Sequence, residues 1–102
     1  MSEEQQESAE ASDVTFVGFV LSLAHTAAFH FGDVPDPVSG RKAEPNLAAA
    51  QQIIDILALL EQKTRGNLTL EEHRFLENSL TELRFRFVQV AGEQSQSQIV
   101  TP

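Results

Sequence analysis

Residues 46–90 read NLAAAQQIIDILALLEQKTRGNLTLEEHRFLENSLTELRFRFVQV, and the spacing of their apolar side chains decides the fold. Ala50, Ile53, Leu57 and Leu60 recur every three or four residues, and Ile54, Ile56 and Leu59 widen that stripe past half the circumference. This pattern specifies a largely buried helix over about 47–64, entered at Asn46 or Leu47 and closed near Thr64-Arg65-Gly66. Lys63 and Arg65 fall in its last turn, where positive charge suits the helix dipole. Thr69 and Glu72 have the spacing of a capping box, in which each side chain accepts from the other residue's backbone amide. Leu76, Leu80, Leu83, Phe87 and Val90 follow, keeping one seam toward a neighbour along a helix over about 70–90. Only Gly66-Asn67-Leu68 separates the two helices, so they should pack as an antiparallel hairpin.

Toward the N-terminus, Val14 to Phe31 is an 18-residue run with no Asp, Glu, Lys or Arg and with four of the seven phenylalanines. It reads as a helix over about 14–31, capped by Ser12 or Asp13 and stopped by Gly32, a residue suited to the left-handed position that ends helices. At 100° per residue its apolar side chains, from Phe19 through Phe16, Val20 and Val17 to Val14, sweep roughly 220°, wider than a two-helix neighbour requires. The remaining sector carries Thr15, Gly18, Ser22, His25, Thr26 and Phe29, and small residues repeating at 18, 22 and 26 let another backbone come close. Neither side suits water, so a second copy of the chain is the simplest cover. The expected interface comprises Phe16, Gly18, Phe19, Ser22, Leu23, Thr26 and Phe29, with a dimer as the favoured assembly. The fold class is therefore all-α: a three-helix protomer that forms a helical homo-oligomer.

The formal charge of −8 is unevenly distributed. Glu3, Glu4, Glu7, Glu10 and Asp13 have no basic neighbour within residues 1–13, whereas residues 14–92 set nine acids against all seven bases. Residues 1–13 are thus read as a disordered acidic tail, 14–91 as one helical domain, and the Gln- and Ser-rich 92–102 as a second disordered tail. The acidic tail repels nucleic acid and anionic lipid. Cysteine is absent, which removes disulfides and thiolate chemistry and fits a reducing compartment, the cytoplasm. The charge-free run reaches the lower length limit of a membrane span, but six of its residues are Thr, Gly, Ser or His, and no basic or Trp/Tyr anchor flanks it.

With these elements placed, the sequence resembles a bacterial family known as domain of unknown function 1844. The likeness rests on an ordered series of residues rather than one motif. Phe16-Val17 and Leu21-Ser22-Leu23 are followed by Gly32-Asp33, Pro35, Asp36-Pro37 and Gly40. Asn46-Leu47-Ala48, Ile54-Asp55-Ile56-Leu57, Lys63 through Thr69, Leu83-Arg84 and Phe87-Val88 complete it. The resemblance covers about residues 14–90 and implies a small helical cytosolic protein; the family carries no assigned activity.

Chemistry-bearing residues are few. His25 and His30 stand about 140° apart on a helix, too far around it to share one metal. His73 and Glu77 lie one turn apart and read as an exposed hydrogen-bonded pair. Asp55 sits between Ile54 and Ile56 and calls for a partner, for which Arg84 is the expected structural ion-pair residue and Arg86 the alternative. The loop 32–46 contains three prolines and two glycines; Asp33, Asp36, Arg41 and Lys42 make it a candidate partner-binding loop. Asp36, between Pro35 and Pro37, reads as a turn residue bonded to nearby amides, and Ser39-Gly40-Arg41-Lys42 lacks the pattern of a phosphate loop.

No catalytic residue, cofactor or metal site is assigned. The sequence points to a non-enzymatic, self-associating module that meets an unidentified protein partner. A second reading makes the first helix the lining of a pocket for a lipid-like ligand, with Ser22, His25 and Thr26 as polar fixings. A third rests an unrecognised enzyme on His30, Asp33 and Asp36.

Overall fold

The computed structural model describes residues 14–99, so the expected tail over 1–13 lies outside the described residues. Three helices follow one another: α1 (Phe16–Phe31), α2 (Leu47–Lys63) and α3 (Leu70–Ile99), each packed against both others, with no strand among the described residues.

Helix α1 begins two residues later than the charge pattern suggests. Thr15, in extended conformation at φ −113° and ψ 158°, supplies the cap, its hydroxyl oxygen accepting from the Gly18 amide at 2.9 Å. Ser12 and Asp13 are therefore not the capping residues. A threonine already in the β region can turn its hydroxyl toward the free amides of the first turn. At the far end the expected stop forms. Gly32 adopts φ 84°, its amide bonds the Phe29 carbonyl, and the Asp33 amide bonds the Ala28 carbonyl, each at 2.9 Å. These two bonds satisfy carbonyls that the ending helix would otherwise leave without partners.

Helix α2 opens at Asn46, whose side-chain oxygen accepts from the Ala49 amide at 3.1 Å. The Asn46 amide donates to the His30 carbonyl at 2.7 Å, so the start of α2 is tied to the end of α1. At its close the Thr64 hydroxyl donates to the Leu60 carbonyl at 2.6 Å. The capping box then opens α3 as read: the Thr69 amide donates to Glu72 Oε1 at 2.9 Å and the Glu72 amide to Thr69 Oγ1 at 3.1 Å.

Two successive clefts between α2 and α3 fix the hairpin's direction. One pairs Glu61 with Glu77 and Thr81, and the other pairs Gln51 and Asp55 with Arg84 and Val88. As the number falls on α2 it rises on α3, so the two helices run antiparallel. Helix α3 does not stop near residue 90. It continues to Ile99 and takes in most of the stretch read as a C-terminal tail. A single glycine at 92 costs only about 1 kcal/mol within a helix, and the Glu, Gln and Ser around it carry no breaker.

The core is one cluster drawn from all three helices: Val20, Ala27 and Phe31; Ala50, Ile54 and Leu57; Leu76, Leu80, Leu83 and Val90. The α3 seam is the one its spacing specifies, with Phe87 packed half-buried beside it. On α2 the centre lies at Ile54, with Ile53 and Leu60 at the margin and Leu59 in solvent, because α1 and α3 together cover one side of that helix. Small residues, Ala27, Ala50 and Ser79, are buried on each helix and permit close approach.

Two substitutions test this framework by chemical denaturation. Thr69→Ala removes one half of the capping box and should cost about 1 kcal/mol of folding stability. Leu57→Ala should cost about 2–5 kcal/mol, since that side chain is fully enclosed and its neighbours cannot fill the space.

Candidate interaction surface

The loop after α1 is a structured hairpin. The Asp36 amide donates to the Arg41 carbonyl and the Gly40 amide to the Asp36 carbonyl, both at 2.8 Å, while Pro35 and Lys42 form an isolated antiparallel bridge. Asp36 Oδ2 accepts from the Ser39 amide at 3.2 Å, and that amide holds its carboxyl below the ordinary carboxylate range. The tip therefore presents Val38, 92% exposed, on a backbone fixed by its own bonds, with Arg41 and Lys42 exposed beside it.

Asp33 has a different task. Arg86 on α3 grips it with two parallel bonds, Nε to Oδ2 at 2.8 Å and Nη2 to Oδ1 at 2.6 Å, while its Nη1 donates to Gln89 Oε1 at 3.3 Å. The guanidinium's hydrogen bonds are the main cause of the lowered Asp33 pKa; desolvation opposes them, and the charges of Arg86 and Lys42 add to the lowering. The partners lie 53 residues apart in sequence, whereas the other side-chain bonds among the described residues join residues within four positions. This clamp fastens the start of the loop to α3.

The expected Asp55–Arg84 pair does not form. Asp55 Oδ1 accepts instead from Gln51 Nε2 at 2.9 Å, one turn earlier on the same helix, while the bidentate partner in the structure belongs to Arg86 and Asp33. Asp55 and Arg84 line opposite sides of a shared open cleft of about 280 Å³ and both are exposed, so water solvates each carboxylate and guanidinium separately. His73 Nε2 and Glu77 Oε2 stand 3.3 Å apart as read, and both line a cleft of about 540 Å³ together with Glu61, Thr64, Arg65 and Thr69. No cluster of three or more metal-ligating side chains occurs among the described residues.

On α1 the structure sorts the expected interface into two groups. Phe16 and Leu23 are half-buried, packed against the core beside Val20 and Ala27. Gly18, Phe19, Ser22 and Thr26 face solvent, and Phe29 is half-buried with its ring edge-on to His30 at 5.5 Å between centroids. Leu21, 56% exposed, and His25 also lie on the open side and complete a face without a charged side chain. A wheel could have shown their place on that sector, but not which sector the hairpin would cover. The Ser22 hydroxyl donates to the Phe19 carbonyl at 2.9 Å and the Thr26 hydroxyl to the Ser22 carbonyl at 3.0 Å. Both hydroxyl protons are thus satisfied within the helix, and the stripe asks little of whatever covers it. Gly18 has an additional local reason: a Cβ there would stand 2.9 Å from the capping Thr15 oxygen.

The model of a family described as Domain of unknown function (DUF1844) matches residues 13–89, and the chain belongs to that family. No curated protein and no solved structure matches it. No helix among the described residues is long and apolar enough to cross a membrane.

The clamp has a definite pH signature. Asp33 is depressed in the folded state, so its contribution is present above the unfolded carboxylate value near 3.9 and disappears as pH falls through the lower folded value. Arg86→Gln should cost about 1 kcal/mol or less at pH 7, because the pair is partly exposed to solvent. Denaturant midpoints measured from pH 7 down to 3 should fall less steeply for that variant than for the wild type.

Proposed function

We propose that this chain is a non-enzymatic interaction module that self-associates through the exposed side of α1 and presents the loop tip around Val38, Arg41 and Lys42 to a protein partner. The carrying observation is the open α1 face of Gly18, Phe19, Leu21, Ser22, His25 and Thr26, charge-free yet uncovered in the protomer. Apolar groups gain by leaving water, and this face brings no charge whose desolvation would oppose that gain. A second α1 is the matching cover: α2 carries Asp55, Glu61 and Lys63 and α3 carries charge along its length, whereas α1 has none. A two-fold contact would also lay the small 18/22/26 stripe against its own copy, as isologous interfaces require.

The loop fits its role as a presented element because its shape is set before any partner arrives. Its internal bonds and the Asp33–Arg86 clamp remove conformations that binding would otherwise have to remove.

The test is molar mass by light scattering, compared for the wild type, Leu21→Glu and Thr26→Arg. Both positions are exposed, so circular dichroism should show unchanged helix content. Either variant should halve the wild-type molar mass; an unchanged mass in both would remove α1 from the interface.

A further inference from the structure

The open side of α1 carries one group that titrates near neutral pH. Within the sector of about 160° that runs from Leu21 round to Phe19 lie Gly18, Ser22, His25 and Thr26, all exposed, and histidine alone among them changes charge between about pH 5 and 8. His30, about 140° farther round the helix, is half-buried. Ser22 is the middle residue of the 18/22/26 stripe, and His25 follows it by three residues, about 4.5 Å along the axis. A two-fold contact that lays the stripe on its own copy therefore draws in both His25 side chains, whichever way the axis runs.

Given the α1 interface proposed above, we infer that His25 makes this self-association pH-dependent: the contact closes on the neutral imidazole of each copy and opens when both take up protons. In the free chain water solvates an imidazolium. In the closed contact two of them would lie out of water among Leu21, Ser22 and Thr26 of both copies, repelling each other, with no Asp or Glu on either α1 to pair them. The elements packed against α1 bring few charges to this margin. On α3, Arg86 is taken by Asp33, and Glu82 stands exposed one turn before it on the same side. On α2, Asp55 and Glu61 line the clefts toward α3, and Lys63 ends the helix. Glu82 flanks α1 in the free chain already, so it is not a partner that His25 gains on association. Opening the contact takes up as many as two protons, and the dissociation constant rises by up to about a hundredfold for each pH unit lost through the histidine range.

Sedimentation equilibrium of the full chain at pH 8, 7, 6 and 5.5 reads the dissociation constant, with circular dichroism at each pH to show the helices intact. The Asp33–Arg86 clamp titrates below this window, so the protomer keeps it throughout. From pH 8 to 5.5 the constant should rise at least about tenfold for the wild type, for His30→Gln and for His73→Gln. For His25→Gln it should stay within about twofold, since that side chain takes up no proton. His25→Lys, charged at every pH tested, should run as a single chain throughout. A His25→Gln chain that keeps the wild-type pH dependence would overturn the inference. So would a wild-type constant that is flat with pH, or one that falls toward acid, the sign expected if Glu82 of one copy met His25 of the other. Leu21→Glu separates the histidine from the interface. Where it abolishes association at pH 8 and the wild-type constant is flat, His25 is refuted and the α1 contact stands. Association that survives both Leu21→Glu and Thr26→Arg, or a wild type that is a single chain at pH 8, refutes both.

Discussion

The end of α1 is the constraint on which the other elements depend. Gly32 at φ 84° turns the chain where an L side chain would be strained, and a Cβ there would meet the Ala43 carbonyl oxygen at 3.0 Å. That turn places Asp33 before Arg86 and brings the Asn46 amide to the His30 carbonyl. One stop thus joins α1 to α3 by a side-chain fork and to α2 by a backbone bond. With its C-terminal end held at two points, α1 lies along the hairpin and contributes Val20, Ala27 and Phe31 to the common core.

This arrangement also decides what stays uncovered. A single helix laid on a two-helix hairpin buries one side of itself and one side of the hairpin. The outer side of α1 is free of charge, and the far side of the hairpin carries Asp55 and Arg84 on opposite walls of a groove. The two surfaces differ in chemistry: the first exposes side chains without Asp, Glu, Lys or Arg, and the second sets charged side chains across an open cleft. A chain of this size has only a modest core of its own, and burial between copies is a physical route to more.

Much of the fold was legible because its signals are local. The Thr69–Glu72 box, the Gly32 stop, the Asn46 cap and the α3 seam each depend on residues a few positions apart, and each appears in place. Errors arose where several local solutions competed. Thr15 capped α1 ahead of Ser12 or Asp13, and one glycine failed to end α3 near residue 90. The site was less legible. Spacing marked the 18/22/26 stripe, but Phe16 and Leu23 pack half-buried against the core and Leu21 lies in solvent, since periodicity gives relative angles on a helix and not the direction of its neighbours.

The sequence by itself determined three helices, the hairpin between the second and third, and a first helix with no charge, because hydrogen bonding and amphipathic period act over a few residues. Only the tertiary structure decided that Arg86 would take Asp33 while Asp55 and Arg84 would share a groove unpaired. Ion pairing between distant segments depends on how helices are rotated and set in level against one another. That rotation is chosen by the whole core at once, and no single stretch of residues contains it.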